Sequence, residues 1–334
     1  MRKDALILGI TGSVGQATAR ALAAHGWSIR ALHRDPETAG ARLQGLASIE
    51  WTRGDAMKAD DVTAAARGAG IIVHAVNPPG YRNWRGLAIP MLANTIAAAR
   101  ASGARILFPG NVYNYGPDAW PLVTERSPQH PQTRKGRIRV EMEGMLADGA
   151  RQGARALVLR AGDFFGANGG SSWFENCLVK PGQPVRAVTY PGRHDAGHAW
   201  AYLPDLAETF ARLADREAEL GAFETFHFGG HYLQPGVGMA HAIRRVAGVP
   251  DAPIRRLPWT AVRFMGVFHE TYRELTEMRY LWDVTLEIEN RKLRAFLGAE
   301  PHTLLDTAVH DTLALLGCLP KEVPADARSG SMPG

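Results

Sequence analysis

The chain has 334 residues, which is enough for a large α/β domain that carries a smaller lobe. Hydrophobic residues make up 46% and charged residues 21%, and the 38 basic and 33 acidic residues give a net charge of +5. These values are typical of globular proteins, and no apolar run approaches the roughly 20 residues of a membrane-spanning helix. Because the basic residues are scattered, we expect neither nucleic acid nor a membrane as a partner, and favour a small molecule.

Cysteine use and the N-terminus indicate the compartment. The chain has only two cysteines, Cys177 and Cys318, and they lack metal-ligand spacing. This pattern is typical of a reducing compartment and argues against a disulfide framework. The apolar stretch in "MRKDALILGI" is too short for a signal peptide and runs into a glycine-rich loop. We therefore expect a cytoplasmic protein.

In chain order, short apolar runs alternate with amphipathic stretches over the first 160 residues. Strands are predicted for "ALILGI", "SIRALHR", "AGIIVHAV" and "ARILFPG", and helices for "SVGQATARALAAHG" and "GLAIPMLANTIAAARASG". A helix from residue 133 and the run "RALVLRAG" extend the series. Strands that alternate with helices at this spacing predict βαβ units and a parallel sheet.

The pattern changes after Gly166, where loops rich in Gly, Pro and aromatic residues separate short strands and helices. Such insertions usually wall the substrate side of an α/β protein. We predict one domain over residues 1–165 and a mixed substrate-binding lobe over residues 166–320, from which some chain returns to the first domain. Residues 321–334 lack apolar periodicity and are predicted to form a disordered tail.

The loop in "ILGITGSVGQATARAL" predicts a nucleotide site. Gly9, Gly12 and Gly15 follow the first strand directly and open an Ala-rich helix. In a dinucleotide-binding loop the first glycine permits a tight turn, the second lets the backbone approach a pyrophosphate, and the third allows close helix packing. This loop at the start of a βαβ series predicts a doubly wound, Rossmann-type sheet that binds a dinucleotide. We also assign to this loop Thr11, Ser13 and Val14.

The end of the second strand bears on the choice between NAD and NADP. An acid there would bond the ribose 2′-hydroxyl of NAD, whereas an arginine accommodates the 2′-phosphate of NADP. The sequence "ALHRDP" offers Arg34 first, which favours NADP and leaves NAD possible. Asp35, before a proline, is either the NAD acid or the N-cap of the next helix.

Three further residues are assigned to the cofactor site. Asp55 follows the third strand, where its carboxylate either reaches the adenine amino group or caps the following helix. Ala75 lies near the end of the predicted strand "AGIIVHAV", and Asn77 follows it directly. In a parallel sheet these positions lie at the same edge as the glycine-rich loop.

Several motifs in a fixed order resemble one enzyme family. They are the glycine-rich loop, "RGDAMKADDV", "VYNYGP", "RAGDFFG", "HAWAYLPDLAET" and "ENRKLRAFLGAEPHTLLDTAVHDTLALLG". With them the chain resembles the short-chain dehydrogenase/reductase superfamily, in its extended branch of NAD-dependent epimerase/dehydratase proteins and their atypical relatives, over nearly its whole length. The resemblance implies an NAD(P)-dependent oxidoreductase or epimerase that acts on a small polar or anionic substrate.

The resemblance also implies a catalytic set from which this sequence departs. The family uses a Ser or Thr near the end of the fifth strand and a Tyr-x-x-x-Lys pair on the next helix, whose Tyr exchanges a proton with the substrate oxygen. By spacing from "YNYG", the Ser position is Asn111, and the Tyr and Lys positions are Thr133 and Arg137. Thr133 cannot supply a phenol, whereas Arg137 could still bond the nicotinamide ribose.

A relocated acid would have to replace the missing tyrosine. Tyr113 and Tyr115 follow Asn111 on the ligand side, and each is either a proton donor or a packing aromatic with a satisfied hydroxyl. Asp163 stands at the family's substrate-contact Asn position. Its carboxylate is a general base or substrate anchor, or it ties the loop backbone.

His194, Asp195 and His198 form a compact group in "RHDAGHAW". Two histidines at this spacing are a weak pattern for a metal site, so we expect no metal. We expect instead a structural or substrate-contacting role for His198.

The helix predicted from residue 133 carries cations in its first turns, although the amide dipoles make a helix N-terminus partly positive. Two of these cations have a glutamate four residues on, which predicts exposed pairs worth about 0.2–0.5 kcal/mol each, Arg137–Glu141 and Arg139–Glu143. Such pairs do not account for Arg134 and Lys135, for which an anionic ligand is the alternative.

The catalytic departures leave two functions open. One is an enzyme with a relocated acid, and the other is a catalytically silent, NADP(H)-binding redox sensor or regulatory protein. The aromatic-rich substrate lobe favours the enzyme, whereas the lost Tyr and Lys favour the sensor. A homodimer is also predicted, because family members often pair the helix of "GLAIPMLANTIAAARASG" and the helix from residue 133 across a twofold axis.

Overall fold

A computed structural model describes residues 3–43, 48–78, 83–170, 172–267 and 270–319 of the chain. The predicted tail, residues 321–334, lies outside the described residues. The elements up to residue 161 are β1 Asp4–Leu8, α1 Ser13–Ala24, β2 Ser28–His33, α2 Pro36–Arg42, β3 Ile49–Arg53, α3 Ala59–Ala65, β4 Ile71–His74, α4 Trp84–Ser102, β5 Arg105–Asn111, β6 Leu122–Val123, α5 Arg134–Arg151 and β7 Arg155–Ala161.

The second half of the chain is built from shorter elements. They are β8 Asp163–Phe165, β9 Val188–Tyr190, β10 His198–Tyr202, α6 Leu203–Asp215, β11 Phe223–His227, β12 His231–Leu233, α7 Gly238–Val246, β13 Ile254–Arg256, α8 Trp259–Met265, α9 Glu270–Glu277, α10 Tyr280–Asp283, β14 Glu287–Ile288, α11 Arg291–Leu297 and α12 Leu305–Leu315.

Seven strands form one parallel sheet in the order β11-β7-β5-β4-β1-β2-β3. Because β1 pairs with both β2 and β4, the strand order reverses there, and a crevice opens at the carboxyl ends of these strands. The predicted doubly wound parallel sheet is confirmed.

Helices cover both faces of this sheet, which explains why its central strands are apolar runs rather than alternating patterns. Helices α1 and α6 pack together over one face, and α3, α4 and α5 over the other. Strand β4 is buried at all four of its residues. The two hydrophobic layers fix the strand ends, and with them the loops that line the crevice.

The smaller lobe contains three short sheets, ordered β12-β10-β8, β13-β9 and β14-β6, around a core that includes Trp200 and Trp282. Strand β8 begins two residues after β7 ends, so this lobe arises at the carboxyl edge of the large sheet. The residue bounds proposed for the two domains remain a prediction. Among the helices of the described residues, none has the length and apolar character needed to cross a membrane.

Candidate active site

The loop between β1 and α1 contains Gly9, Gly12 and Gly15. Gly9 has a φ of +87°, which favours glycine, and a Cβ there would lie 2.6 Å from the Ala75 carbonyl oxygen. A Cβ at Gly15 would lie 2.2 Å from the Gly9 carbonyl oxygen. Gly12 differs, because its φ is −83° and, among the described residues, a Cβ would meet only the Gly9 oxygen, at 3.4 Å. The fold therefore requires Gly9 and Gly15, whereas Gly12 leaves space open before the helix.

The N-terminus of α1 offers polar groups to a ligand. Ser13 Oγ is buried and accepts or donates no hydrogen bond within the described part of the chain. A Cβ at Gly169 would lie 1.9 Å from this oxygen, so the segment after β8 lies against it. Thr11 is exposed in the same loop, and Val14 is half-buried. The first amides of a helix lack intrahelical partners and carry its positive dipole end, so this region fits the pyrophosphate of a dinucleotide.

Arg34 and Asp35 follow β2 directly, and Arg53 lies beside them at the end of β3. Arg34 is exposed directly after β2, and Arg53 Nη1 donates to its carbonyl oxygen at 3.1 Å. Asp35 is the N-cap of α2, where its carboxylate accepts from the Thr38 hydroxyl at 2.6 Å and from the Thr38 amide at 3.3 Å. These two hydrogen bonds lower the pKa of Asp35. The capping alternative for Asp35 is confirmed.

Asp55 and Asn77 lie just past the carboxyl ends of β3 and β4 and make local hydrogen bonds. Asp55 Oδ1 accepts from the Met57 amide at 3.0 Å, whereas the N-cap of α3 is Lys58. The capping alternative for Asp55 is therefore wrong, and its bond closes the turn before the helix. Asn77 Oδ1 accepts from Trp84 Nε1 at 2.7 Å.

The end of β5 lies against the start of α5. Asn111 ends β5, and its Oδ1 accepts from the Tyr113 amide at 3.0 Å. A Cβ at Gly136 would lie 2.3 Å from the Tyr113 carbonyl oxygen, so glycine permits this close approach. Thr133 is the N-cap of α5, and its Oγ1 accepts from the Gly136 amide at 3.0 Å. Asn111, Tyr113 and Thr133 are thus neighbours.

Tyr115 belongs to the core instead. Its hydroxyl accepts from Arg160 Nη1 at 2.6 Å and lies 2.7 Å from His227 Nε2. Burial raises the pKa of Tyr115, and the packing alternative is confirmed for this residue. Arg160 Nε also donates to both carboxylate oxygens of Glu143 at 3.1 Å. The predicted pair of Arg139 with Glu143 is therefore wrong.

Arg137 does not form its predicted pair either. Its guanidinium is exposed and donates to a backbone carbonyl oxygen of the preceding loop at 3.1 Å. Glu141 is bonded by both terminal nitrogens of Arg85, which comes from α4. The side chain of Arg137 is therefore available beside the N-terminus of α5.

The two remaining cations of this helix face carboxylates of α9. Lys135 Nζ donates to the carboxylate of Glu274 and to Glu277 Oε2, the latter at 2.9 Å. Arg134 also donates to Glu274. Both Lys135 and Glu274 are buried, so the expected anionic ligand is wrong for Lys135. The spacing of Glu274 and Glu277 places them on one helix face, but no local pattern connects that face with α5.

Asp163 opens β8 beside a narrow cavity. His198 Nε2 donates to Asp163 Oδ2 at 2.9 Å, and the imidazole stacks on Trp282 with ring centres 4.0 Å apart. Asp163 and His198 line the cavity together with Val112 and Leu281. Within the described residues Asp163 is thus held by a side chain rather than by loop backbone.

The sequence analysis missed Tyr280, the first residue of α10. Its ring stacks on Trp120, with ring centres 5.9 Å apart and an interplanar angle of 24°. Burial raises the pKa of Tyr280, a hydrogen-bonding interaction with the Thr133 hydroxyl lowers it in part, and the charges of Glu277 and Asp163 raise it further. A phenol therefore lies at Thr133, where the resemblance had implied one.

The histidines of "RHDAGHAW" do not converge. His198 bonds Asp163, whereas Asp195 pairs with Arg193 at 2.6 Å. Over the ranges that the structure describes, no group of three or more His, Cys, Asp or Glu side chains could hold a metal ion.

The sequence pattern of one family covers most of this chain. The model of the NAD dependent epimerase/dehydratase family matches residues 5–229. The chain belongs to this family. A comparison with curated proteins finds no significant match.

Solved structures of epimerases share the fold. UDP-glucose 4-epimerase from Bifidobacterium longum, in complex with NAD+ and UDP, has a TM-score of 0.72 at 15% identity, over 93% of this chain and 97% of that one. UDP-N-acetylglucosamine 4-epimerase from Bacillus cereus has a TM-score of 0.70 at 16% identity, over 93% and 99%. A putative epimerase from Burkholderia cenocepacia has 0.69 at 18%, over 94% and 98%. At such identities the likeness shows the fold alone.

The epimerase/dehydratase match ends before several residues of the site. The glycine-rich loop, Asn111, Thr133, Arg137 and Asp163 lie inside the matched stretch. Tyr280 and the carboxylates of α9 lie beyond it. The family pattern therefore carries no signal for the part of the smaller lobe that reaches Thr133.

Proposed function

We propose that the protein is an NAD(P)-dependent oxidoreductase or epimerase, of the extended or atypical short-chain dehydrogenase/reductase type, with a non-standard catalytic site. The observation that carries this proposal is the glycine-rich loop. Gly12 has no conformational need to be glycine, yet a side chain there would occupy the space before α1. The Ser13 hydroxyl has no hydrogen-bond partner among the described residues. This hydroxyl and the open space at Gly12 favour a bound pyrophosphate over a purely structural turn.

We propose NADP as the preferred cofactor, with NAD as the alternative. Arg34 is exposed at the end of β2, with Arg53 beside it, and two cations there suit a 2′-phosphate. Asp35 caps α2 and is thereby withdrawn from the ribose. Four of the similar structures contain NAD by their descriptions, which favours the alternative.

The remaining chemistry falls to groups near the carboxyl ends of β5 and β7 and at the start of α5. When bound, the nicotinamide supplies or accepts a hydride. Arg137, whose guanidinium is exposed beside the N-terminus of α5, would hold the nicotinamide ribose. Asn111 would orient the substrate oxygen, and Asp163, held by His198, would anchor a substrate hydroxyl or act as a base. Tyr113 and Thr133 stay candidates for contact with the substrate.

The substrate is proposed to be a small polar molecule that carries a hydroxyl or carbonyl group. Arg134 and Lys135, which offered one possible site for an anionic ligand, are both bonded by Glu274. Polar groups that remain at the cavity are Asp163 and His198. The redox-sensor alternative is supported by Thr133, because this residue caps a helix and cannot act as a phenolic acid.

The proposal is tested by cofactor binding. Fluorescence titration with NADPH and NADH should show binding by the wild type, and Gly12→Val should abolish it with an unchanged circular dichroism spectrum. Gly144→Val is the matched control, because Gly144 is exposed on α5 with nothing near its Cβ position. Binding by Gly12→Val at wild-type strength, or none by the wild type, would refute the proposal. Conversion of nucleotide sugars or carbonyl compounds then separates an enzyme from a sensor.

We also propose a homodimer formed through α4 and α5. Sedimentation velocity at micromolar concentration should give about twice the chain mass of 36.3 kDa. A species at the mass of one chain would contradict the dimer and leave the cofactor proposal untouched.

A further inference from the structure

We propose that Tyr280 supplies the phenol that the helix from Thr133 lacks, and that it exchanges a proton with the substrate oxygen. This inference rests on the proposed function and names a catalytic residue for it. The phenol comes from α10 of the smaller lobe. The proton donor would therefore belong to a different element than the family's tyrosine but occupy the same part of the site.

The first observation is how the segment around α9 and α10 is anchored. Lys135, in the first turn of α5, is buried between the carboxylates of Glu274 and Glu277. The Lys135 amide also donates to Glu277 Oε1 at 3.1 Å. These bonds fix the end of α9 on the first turn of α5. Tyr280 follows only three residues after Glu277, so the anchor determines where its ring lies.

The second observation is the surroundings of the Tyr280 ring. It stacks on Trp120 and packs at the edge of a hydrophobic cluster that includes Val112 and Leu281. Val112 follows the last residue of β5, and Leu281 lines the cavity at Asp163. The ring is therefore held between the end of β5 and the Asp163 cavity, and it remains half-buried rather than sealed in a core.

The third observation is the partner of the phenol. Thr133 Oγ1 accepts from the Gly136 amide and has a single proton to donate. Thr133 also lowers the pKa of the Tyr280 phenol in part, which is the effect of a hydroxyl that faces the phenol oxygen. Burial and the charges of Glu277 and Asp163 raise the pKa of the phenol, so it carries its proton near neutral pH.

The step balances as a carbonyl reduction with a reduced nicotinamide dinucleotide as the reductant. A hydride adds to the substrate carbonyl carbon, and the electron pair of the broken C=O π bond forms the new O–H bond. The proton for that bond leaves Tyr280 Oη, and the phenolate takes a proton from water. In the reverse direction the same phenolate would accept the proton of a substrate hydroxyl.

The test combines a spectroscopic readout with turnover. The protein is labelled with fluorotyrosine, and the ¹⁹F resonance of Tyr280 is assigned by its loss in Tyr280→Phe. Addition of NADP+ should move this resonance and leave that of Tyr232 in place, because the Tyr232 hydroxyl donates to Gln234 at 3.3 Å. If the dinucleotide binds and the Tyr280 resonance stays in place, the inference is wrong. If the wild type binds no dinucleotide, the proposed function itself fails.

Turnover is followed as NADPH oxidation with phenanthrenequinone as the carbonyl probe. Tyr280→Phe should lower kcat about 100-fold or more while NADPH affinity changes little, and Tyr232→Phe should change neither. The double variant Tyr280→Phe/Thr133→Tyr should recover at least about tenfold of that loss, because it returns a phenol to the helix. Equal kcat for the wild type and Tyr280→Phe would overturn the inference. Where the wild type does not reduce this probe, the ¹⁹F experiment alone decides.

Discussion

Lys135 offers a direct measure of how strongly α9 is held on α5. Its side chain is 1% exposed, and its Nζ lies 2.9 Å from Glu277 Oε2 and 3.0 Å from the Glu274 carbonyl oxygen. Lys135→Met removes the charge and keeps a flexible apolar stem. The Glu274 carboxylate, 2% exposed, would then keep two cationic partners, Arg134 and Arg273, which are 59% and 61% exposed.

The expected loss of stability follows from this burial. Removing one partner of a buried ion pair costs about 3–5 kcal/mol, because the other charge stays buried without compensation. Arg134 and Arg273 reach Glu274 from the solvent side and offset part of that cost. We therefore expect Lys135→Met to lower the free energy of unfolding by about 3 kcal/mol.

Urea unfolding at pH 7, followed by circular dichroism, gives the measurement. The matched control is Arg151→Met, which breaks the exposed pair of Arg151 with Asp148 on the same helix and should cost less than about 1 kcal/mol. Lys135→Met/Glu274→Gln should recover part of the loss, since the stranded charge is removed as well. A loss below about 1 kcal/mol for Lys135→Met would refute the buried placement of its ammonium group.

The ion pair of Lys135 with Glu274 also predicts how the stability of the fold depends on pH. Burial acts to raise the pKa of Glu274, but the hydrogen bonds from Arg134 and Lys135 outweigh it, and the pKa is lowered. A carboxyl group whose folded pKa is depressed adds stability above its unfolded pKa, about 4.5, and this contribution is lost as the pH falls. Lys135→Met should therefore lose less stability between neutral pH and acid than the wild type does.

Three further predictions concern the cofactor site and the core. Arg34→Ala should remove an NADPH preference of about tenfold, or 1.4 kcal/mol, in fluorescence titrations, and equal wild-type affinities for NADPH and NADH would contradict it. Arg137→Ala should weaken NADPH binding by about 1–3 kcal/mol if its guanidinium bonds the ribose, and an unchanged affinity would exclude that role. Burial, with a smaller effect of Arg139, lowers the pKa of His74 to about 3, so the unfolded state binds the proton first as the pH falls below about 6.5. His74→Gln should therefore reduce the pH dependence of unfolding by about 1.4 kcal/mol per pH unit below pH 6.5, and an unchanged dependence would contradict the buried, neutral imidazole.

Much of the fold could be predicted because its signals are local. The turn at Gly9 and the helix contact at Gly15 arise within one βαβ unit, so their spacing reveals the loop before any long-range contact is known. The cap at Asp35 is equally local, since Thr38 lies three residues on. The alternation of strands and helices then leaves few sheet topologies to consider.

The partners of charged side chains could not be predicted in this way. The i,i+4 rule weighs only neighbours on the same helix, and each local pair is worth a few tenths of a kcal/mol. Contacts from other elements readily outweigh it. Glu141 is bonded by Arg85, which lies 56 residues earlier, and Glu143 by Arg160, which lies 17 residues later. Sequence spacing carries no information about either contact.

The position of Tyr280 could not be predicted for the same physical reason. The long-range contacts that hold the segment before Tyr280 also explain the cations at the start of α5. Positive charges at a helix N-terminus oppose the dipole, so they persist only where carboxylates offset both the charge and the dipole. Glu274 and Glu277 do so from α9, 139 and 142 residues after Lys135. The cations whose local sequence suggests a binding site for an anionic ligand thus form ion pairs that connect the two lobes. The last of these ion pairs, at Glu277, lies three residues before Tyr280. The cations therefore affect the site through the segment that they hold in place, and we expect their loss to displace the Tyr280 phenol from Thr133.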